Sequence, residues 1–244
     1  DMNILIIPPN DLINNVLPNR LYHLAKQWQD RHKLYLLRYP KYPTSVNIER
    51  LLKYEPIVFN AKPAENPGLY YLKNARAIHD ALKKVFEKEN VDVVVHANVL
   101  PSLIVTRLSG KYKVRKVFDY VDHFPEASSA YYKNKLLKFL THHVVNFITS
   151  YNLKKSDLIV SPSHSFKQLI ESKTSKPIHV VPNGTDTDLF KPMDKFTARR
   201  RIGIEAYDPI LLYYGSITEW VDYKLLLNVV IKLKEKYPSI LRLL

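Results

Sequence analysis

The sequence predicts an α/β fold, built as a doubly wound parallel sheet with helices on both faces. Short apolar runs of strand character alternate with longer segments of helical period, which is the order typical of such a sheet. Hydrophobic residues make up 46% of the chain and charged residues 25%, the balance of a folded globular protein rather than a disordered one. With 244 residues, the chain can form one large domain, or one domain and part of a second.

Seven segments have the length and composition of strands, and five longer segments between them have a helical pattern. The predicted strands are 3–8, 33–39, 56–60, 91–96, 115–121, 157–161 and 178–182. The predicted helices are 18–30, 68–89, 101–109, 131–155 and 163–172. Pro101 stands at a favourable first helical position, and Ser163 follows a strand as a helix N-cap.

After residue 182 the pattern begins again with a short basic helix, 195–201. A strand over 209–215, a helix over 222–237 and the start of another strand over 240–244 follow. Such a small unit buries too little surface to offset its chain entropy. We therefore expect a complete domain over 1–182, and over 183–244 a linker with the first βα unit of a truncated second domain.

Bulk composition limits the classes of function. Cysteine is absent, which excludes disulfides and thiolate metal sites. No apolar stretch approaches the roughly 20 residues of a membrane span, and the chain starts directly with a strand pattern instead of a signal peptide, so we expect a cytoplasmic protein. The net charge of +14 favours anionic partners such as sugar nucleotides, phospholipids or nucleic acid, although a solubilising lysine-rich surface explains it equally well.

One segment, Val180-Val-Pro-Asn-Gly-Thr-Asp-Thr-Asp-Leu-Phe-Lys-Pro192, stands out as a motif. Asn183 and Gly184 tolerate positive φ and predict a sharp turn, beyond which the aspartates can cap backbone N–H groups. The segment resembles the V-P-N-G-V-D-x-x-x-F-x-P motif of group 1 (family 4) retaining glycosyltransferases of the GT-B fold. In that family the motif closes the first domain and leads into the second, along the cleft between them.

Three further segments resemble the same family in the same order. Asp157–Ser163 is similar to its strand-to-helix junction, and Asp92–Asn98 to its D-v-v-H-x-H strand end, with Asn98 where a second histidine often stands. Ile210–Ile217 resembles the first strand and glycine turn of the donor-binding domain. Three departures stand beside them: the first loop, Pro8–Asp11, lacks glycine, the donor turn lacks its usual Arg and Lys, and the E-x7-E motif is absent.

The resemblance implies a Rossmann-like GT-B protein with an incomplete second domain. It implies retaining transfer of a sugar from a nucleotide-sugar co-substrate to a glycan, lipid or small-molecule acceptor, without a metal cofactor. Because most of the donor-binding half lies outside the chain, we expect this chain alone to be inactive. The alternatives are a sugar-nucleotide epimerase of the same architecture, a non-catalytic acceptor-binding subunit, or a basic nucleic-acid-binding protein. Spread-out lysines disfavour the last, so no specific nucleic acid is expected.

Candidate site residues follow from the loops after the strands, where open α/β sheets bind ligands. Asp122 and His123 stand where a family histidine contacts the reacting sugar; they are the predicted catalytic pair, able to accept or orient a hydroxyl proton. The alternative is that Asp119 and Asp122 cap the next turn and His123 is solvated. The predicted substrate-binding residues are Asn10, His96, Asn98, Ser163, Asn183, Gly184, Gly215 and Ser216. Ser163 is more often a cap than a ligand in such a position.

Two further patterns have an ordinary explanation. His142 and His143 are adjacent and point to different helix faces, so they do not predict a metal site. Residues 131–140 mix lysine with aromatic and aliphatic side chains and, with Lys154 and Lys155, suit a peripheral contact with an anionic membrane. The favoured interpretation is instead that this helix packs its apolar stripe on the sheet and leaves its lysines in water.

Overall fold

In a computed structural model of the chain, the structure describes residues 1–15, 18–204, 210–215 and 221–237. Contacts divide the chain into two compact units, Asp1–Gly184 and Thr185–Leu244. The division falls two residues after the domain boundary predicted from the sequence.

The first unit is built on one sheet of seven parallel strands in the order β3-β2-β1-β4-β5-β6-β7. The strands are β1 Asn3–Ile7, β2 Lys33–Leu37, β3 Glu55–Ile57, β4 Val93–His96, β5 Arg115–Asp119, β6 Leu158–Ser161 and β7 Ile178–Val180. All seven predicted strands are confirmed, with slightly different ends. The chain runs outward from β1 to β3 and returns to β4, so the strand order reverses between β1 and β4, which are paired through Ile4 with Val93 and Ile7 with His96.

Helices connect the strands. They are α1 Arg20–Trp28, α2 Pro67–Lys88, α3 Leu100–Ser109, α4 Phe124–Ala130, α5 Lys135–Lys155 and α6 His164–Glu171. The five predicted helices are confirmed, but α5 begins four residues later than expected and α4 was not predicted. Pro125 favours the first turn of α4, and Asn134 accepts hydrogen bonds from the backbone of Leu136 and Leu137 to start α5 afresh.

Both faces of the sheet are buried, which confirms the doubly wound arrangement. On β1, Leu5 and Ile7 pack in the cluster that contains side chains of α2 and α3, whereas Ile4 and Ile6 pack in the cluster that contains Leu21 of α1. Successive strand residues point to opposite faces, so a continuous apolar strand supplies both layers. A third cluster joins β5 and β6 to helices α4, α5 and α6.

The second unit contains α7 Lys195–Arg201 and α8 Tyr223–Lys236, both as predicted. No strand is assigned over the described residues 210–215, so the predicted strand 209–215 is not found there. The predicted strand 240–244 lies outside the described residues. None of the side chains of α8 is buried, as expected for a unit too small to enclose a core.

Candidate functional site

The loops after β1 and β4 are tied together at the point where the strand order reverses. The Asn98 side-chain amide donates to the carbonyl oxygens of Pro8 and Pro9, both at 3.0 Å, and to the Tyr71 hydroxyl at 2.9 Å. Its carbonyl oxygen accepts from the backbone N–H of Val99. Asn98 is buried and its polar groups are used within the protein. Asn98 therefore holds the stiff first loop, and its direct contact with substrate stays a prediction.

His96 is enclosed in the core. Its Nε2 lies 3.1 Å from the Ser156 hydroxyl and its ring stacks on Phe118 with centroids 4.7 Å apart. Burial and, to a smaller extent, the charge of Lys116 lower the pKa of His96 to about 3, so the imidazole is neutral at physiological pH. Because no part of the side chain is accessible, this burial argues against the predicted role in substrate binding.

A buried ion pair lies at the carboxyl end of β5. Arg20 Nε is 3.2 Å from Asp119 Oδ2, and neither side chain is more than 11% exposed. The same guanidinium donates to the carbonyl oxygen of Val181 at 2.8 Å and to Asn183 Oδ1 at 3.2 Å. Burial raises the pKa of Asp119 to about 6, against the opposing charge of Arg20. Arg20 thus joins the end of β5 to the segment that follows β7.

Sequence reasoning missed this arrangement. Asp119 was expected at most to cap a turn, and Arg20 had no assigned role because 161 positions separate it from Val181. The one available signal was its place in the first turn of α1, since the helix that follows β1 begins at the same edge of the sheet where all the parallel strands end.

Asn183 and Gly184 do not form the predicted sharp turn. Among the described residues, positive φ occurs at Lys41, Gly203 and Gly215, not at this pair. A Cβ added at Gly184 would meet nothing within 4 Å, so neither space nor backbone conformation requires a glycine there. The predicted cap is confirmed, however: the Asp186 carboxylate accepts from the backbone N–H groups of residues 188 and 189, at 3.0 and 3.1 Å.

Asp122 and His123 follow β5 and differ in their surroundings. His123 Nδ1 lies 2.8 Å from the Tyr120 hydroxyl, and its Nε2 lies 2.5 Å from Glu126 Oε2. Both ring nitrogens are therefore engaged within the protein. Asp122 is exposed, and its Oδ1 accepts from the backbone N–H of His123. Among the described residues its other carboxylate oxygen accepts no hydrogen bond, so Asp122 is the member of the pair that presents an open proton acceptor.

The remaining predicted residues are scattered. Asn10 Oδ1 accepts from the Asn19 side chain at 3.1 Å, and Ser163 caps α6 by accepting from the backbone N–H of Phe166 at 3.2 Å. The cap interpretation of Ser163 is thus confirmed. Gly215 has φ of 151°, a conformation that favours glycine, and lies in the second unit, whereas Ser216 lies outside the described residues.

Over the described ranges, no group of three or more His, Asp or Glu side chains is arranged to hold a metal ion. In the same part of the chain, no helix has the length and apolar character that a membrane crossing requires.

Comparisons with known proteins identify the architecture. The profile of Glycosyltransferase Family 4 matches residues 18–189. Sucrose-phosphate synthase from Thermosynechococcus elongatus is similar in structure, with a TM-score of 0.75 at 12% identity, over 96% of this chain and 60% of that one. Anabaena HepE in complex with UDP has a TM-score of 0.61 at 14% identity, over 95% of this chain and 58% of that one. Its complex with UDP-glucose scores 0.59 at the same coverage.

The chain thus spans about three fifths of the length of these solved proteins. The comparison with curated proteins finds no significant match. At such low identity the structural likeness shows the fold alone, which is of the GT-B type. The family profile covers well over half of the chain, including strands β2 to β7, the Arg20–Asp119 pair and the segment after β7. The chain belongs to Glycosyltransferase Family 4.

Proposed function

We propose that the protein containing this chain transfers a sugar from a nucleotide-sugar donor to a glycan, lipid or small-molecule acceptor, with retention of the anomeric configuration. The observation that carries this proposal is the family match over residues 18–189. The Anabaena HepE structures with UDP and UDP-glucose support a nucleotide sugar as the donor class. The alternative functions, among them an epimerase of the same architecture and a nucleic-acid-binding protein, gain no support from these findings.

In this reaction the chain binds the acceptor. The carboxyl ends of the parallel strands form one edge, and Asp122 lies on it with an exposed carboxylate. An exposed carboxylate there suits the binding of an acceptor hydroxyl and the acceptance of its proton. His123 stands beside it but is held by Tyr120 and Glu126, so its proposed task is to position the loop.

The donor side needs more than this chain. Stabilising the charge that develops on a leaving diphosphate requires fixed donors aimed at it, and the predicted donor turn holds neither Arg nor Lys. The chain also spans only about three fifths of the solved proteins of this fold. We therefore propose that the chain alone does not catalyse transfer and that no metal cofactor is needed on its side.

A donor screen tests this function. The 244-residue chain, and the chain continued by a donor-binding half, are each incubated with UDP-, GDP- and ADP-sugars and a panel of acceptors. We expect transfer only from the two-half protein, and an NMR spectrum of the product with the anomeric configuration of the donor. Inversion would overturn the retaining mechanism, robust transfer by the chain alone would overturn its inactivity, and sugar interconversion without an acceptor would favour the epimerase.

A further inference from the structure

The outward face of α5 carries an apolar stripe. The helix packs on the protein through Val145, Thr149 and Asn152, which are buried. On the opposite side, spaced by four, four and three positions, lie four exposed side chains that we call the α5 stripe: Leu136, Leu140, Val144 and Phe147, exposed by 65, 49, 57 and 73%. Residues at this spacing share one helix face.

This exposure contradicts the interpretation favoured by the sequence, in which the helix buries its apolar residues on the sheet. The reason is the position of the buried face, which runs through Val145, Thr149 and Asn152 and leaves the leucines of the first two helical turns outside. Leu137 and Phe139 are also exposed and widen the stripe at its N-terminal end. Contiguous exposed apolar surface of this kind marks an interaction site.

The charges around the α5 stripe have one sign. The helix contains no Asp or Glu. Lys133 and Lys135 lie at its beginning and Lys154 and Lys155 at its end, all of them exposed. The helix has 21 residues and is therefore about 31 Å long, at about 1.5 Å per residue. The stripe thus runs between two lysine groups along one helix.

A groove lies beside the helix on a different face from the α5 stripe, since Lys138 stands seven residues before the buried Val145 and shares its side of the helix. It has a volume of about 330 Å³ and lies between α4 and α5, lined by Ser129, Lys135, Lys138, Phe139, His142 and His143. Lys135 and Lys138 there carry donors suited to phosphate oxygens, whereas His143 Nδ1 is already engaged with the Phe139 carbonyl oxygen. Glu126 lies 3.8 Å from His142 at this groove and is already engaged with His123.

We propose that the α5 stripe docks on an anionic lipid bilayer, with α5 lying in the plane of the headgroups. The apolar residues enter the boundary between headgroups and acyl chains, and the lysines contact anionic headgroups. A second copy of the chain is a poorer occupant, because pairing α5 with itself would bring lysines against lysines with no acid on the helix to compensate. The inference goes beyond sugar transfer and does not require the chain to be active.

Vesicle sedimentation of the full 244-residue chain tests the proposal. We expect pelleting with vesicles containing 30% phosphatidylglycerol in phosphatidylcholine, none with phosphatidylcholine alone, and strong weakening in 0.5 M NaCl. The double variant Lys154→Glu/Lys155→Glu should lose roughly 25-fold or more in affinity, at roughly fivefold for each lysine removed. The control Lys73→Glu/Lys84→Glu makes the same charge change on exposed residues of α2 and should lose markedly less.

The apolar part is tested with Leu136→Ser/Phe147→Ser against the control Leu72→Ser/Val58→Ser, whose residues are 65 and 63% exposed elsewhere. Only the first pair should reduce pelleting, and circular dichroism should show that both variants remain folded. Three results would overturn the proposal: no pelleting of the unmodified chain, equal pelleting by the stripe and control variants, or a concentration-dependent dimer that the stripe variant abolishes. The last would identify a second copy as the occupant.

Discussion

The buried carboxylate of Asp119, at the edge of the sheet, makes the stability of the folded chain depend on pH. Both of its oxygens are removed from water, and the neighbouring Arg20 offsets only part of the cost of its charge. The result is an acid whose pKa is raised from 3.8 to about 6. Between those two pH values the folded protein keeps a proton that the unfolded chain releases.

This predicts a specific pH dependence of stability. As the pH rises from about 4 to about 6, the contribution of Asp119 lowers the unfolding free energy by about 3 kcal/mol in total. Above this range its contribution no longer changes. The variant Asp119→Asn lacks this dependence. Urea unfolding of both proteins should therefore show the unfolding free energy of the unmodified chain falling relative to that of the variant across this window. A difference that stays constant, or rises with pH, would contradict the assignment.

The Arg20 side chain stabilises the end of β5 and the segment after β7. Its replacement by alanine leaves Asp119 buried without a counter-charge and removes the donors to Val181 and Asn183. We expect Arg20→Ala to lower the unfolding free energy by about 3 kcal/mol and to increase amide hydrogen exchange over 181–184. The matched control, Arg76→Ala, removes an exposed arginine of α2 and should change stability by less than about 0.5 kcal/mol. Equal effects of the two variants would show that the pair is not a structural link.

Ser163 stabilises the N-terminus of helix α6 as its cap. Ser163 accepts from the backbone of Phe166 at its N-terminus, and Ser165 lies exposed in the first turn. We expect Ser163→Ala to cost about 1 kcal/mol and Ser163→Gly only a few tenths, whereas Ser165→Ala should be close to neutral. Thermal unfolding measures all three. If Ser163→Gly were as damaging as Ser163→Ala, the cap would not be its main role.

Elements were predictable where their information is local. The apolar runs of the seven strands and the Ser163 cap of α6 involve adjacent residues, so the existence of the strands and the start of α6 follow from period and capping. Helix α4 was missed because seven residues give too little periodicity to distinguish it from a loop. The Arg20–Asp119 pair and the Asn98 contacts were missed for a different reason: they join residues far apart in sequence, and nothing local signals the contact.

At the scale of the whole molecule, the motif at 180–192 suggested the family that the profile match shows, and three of the predicted site residues make contacts within the protein. Asn98 and His96 support loops and core, and Asn183 binds Arg20 instead of forming a sharp turn. The α5 stripe reverses the expectation for the surface, because periodicity shows that a helix is amphipathic but not which of two apolar faces packs. Only the burial of each side chain shows whether a residue supports the core, as His96 does, or faces the solvent, as the α5 stripe does.

We propose that an acceptor reacts at the carboxyl edge of the sheet, at Asp122. The most direct measurement is the kcat/KM of sugar transfer by the two-half protein carrying Asp122→Asn, with Asp80→Asn on α2 as the control. We expect the Asp122 variant to lose about 100-fold or more while its thermal unfolding is unchanged, and the control to keep full activity. Transfer by the Asp122 variant at the unmodified rate would contradict the claim.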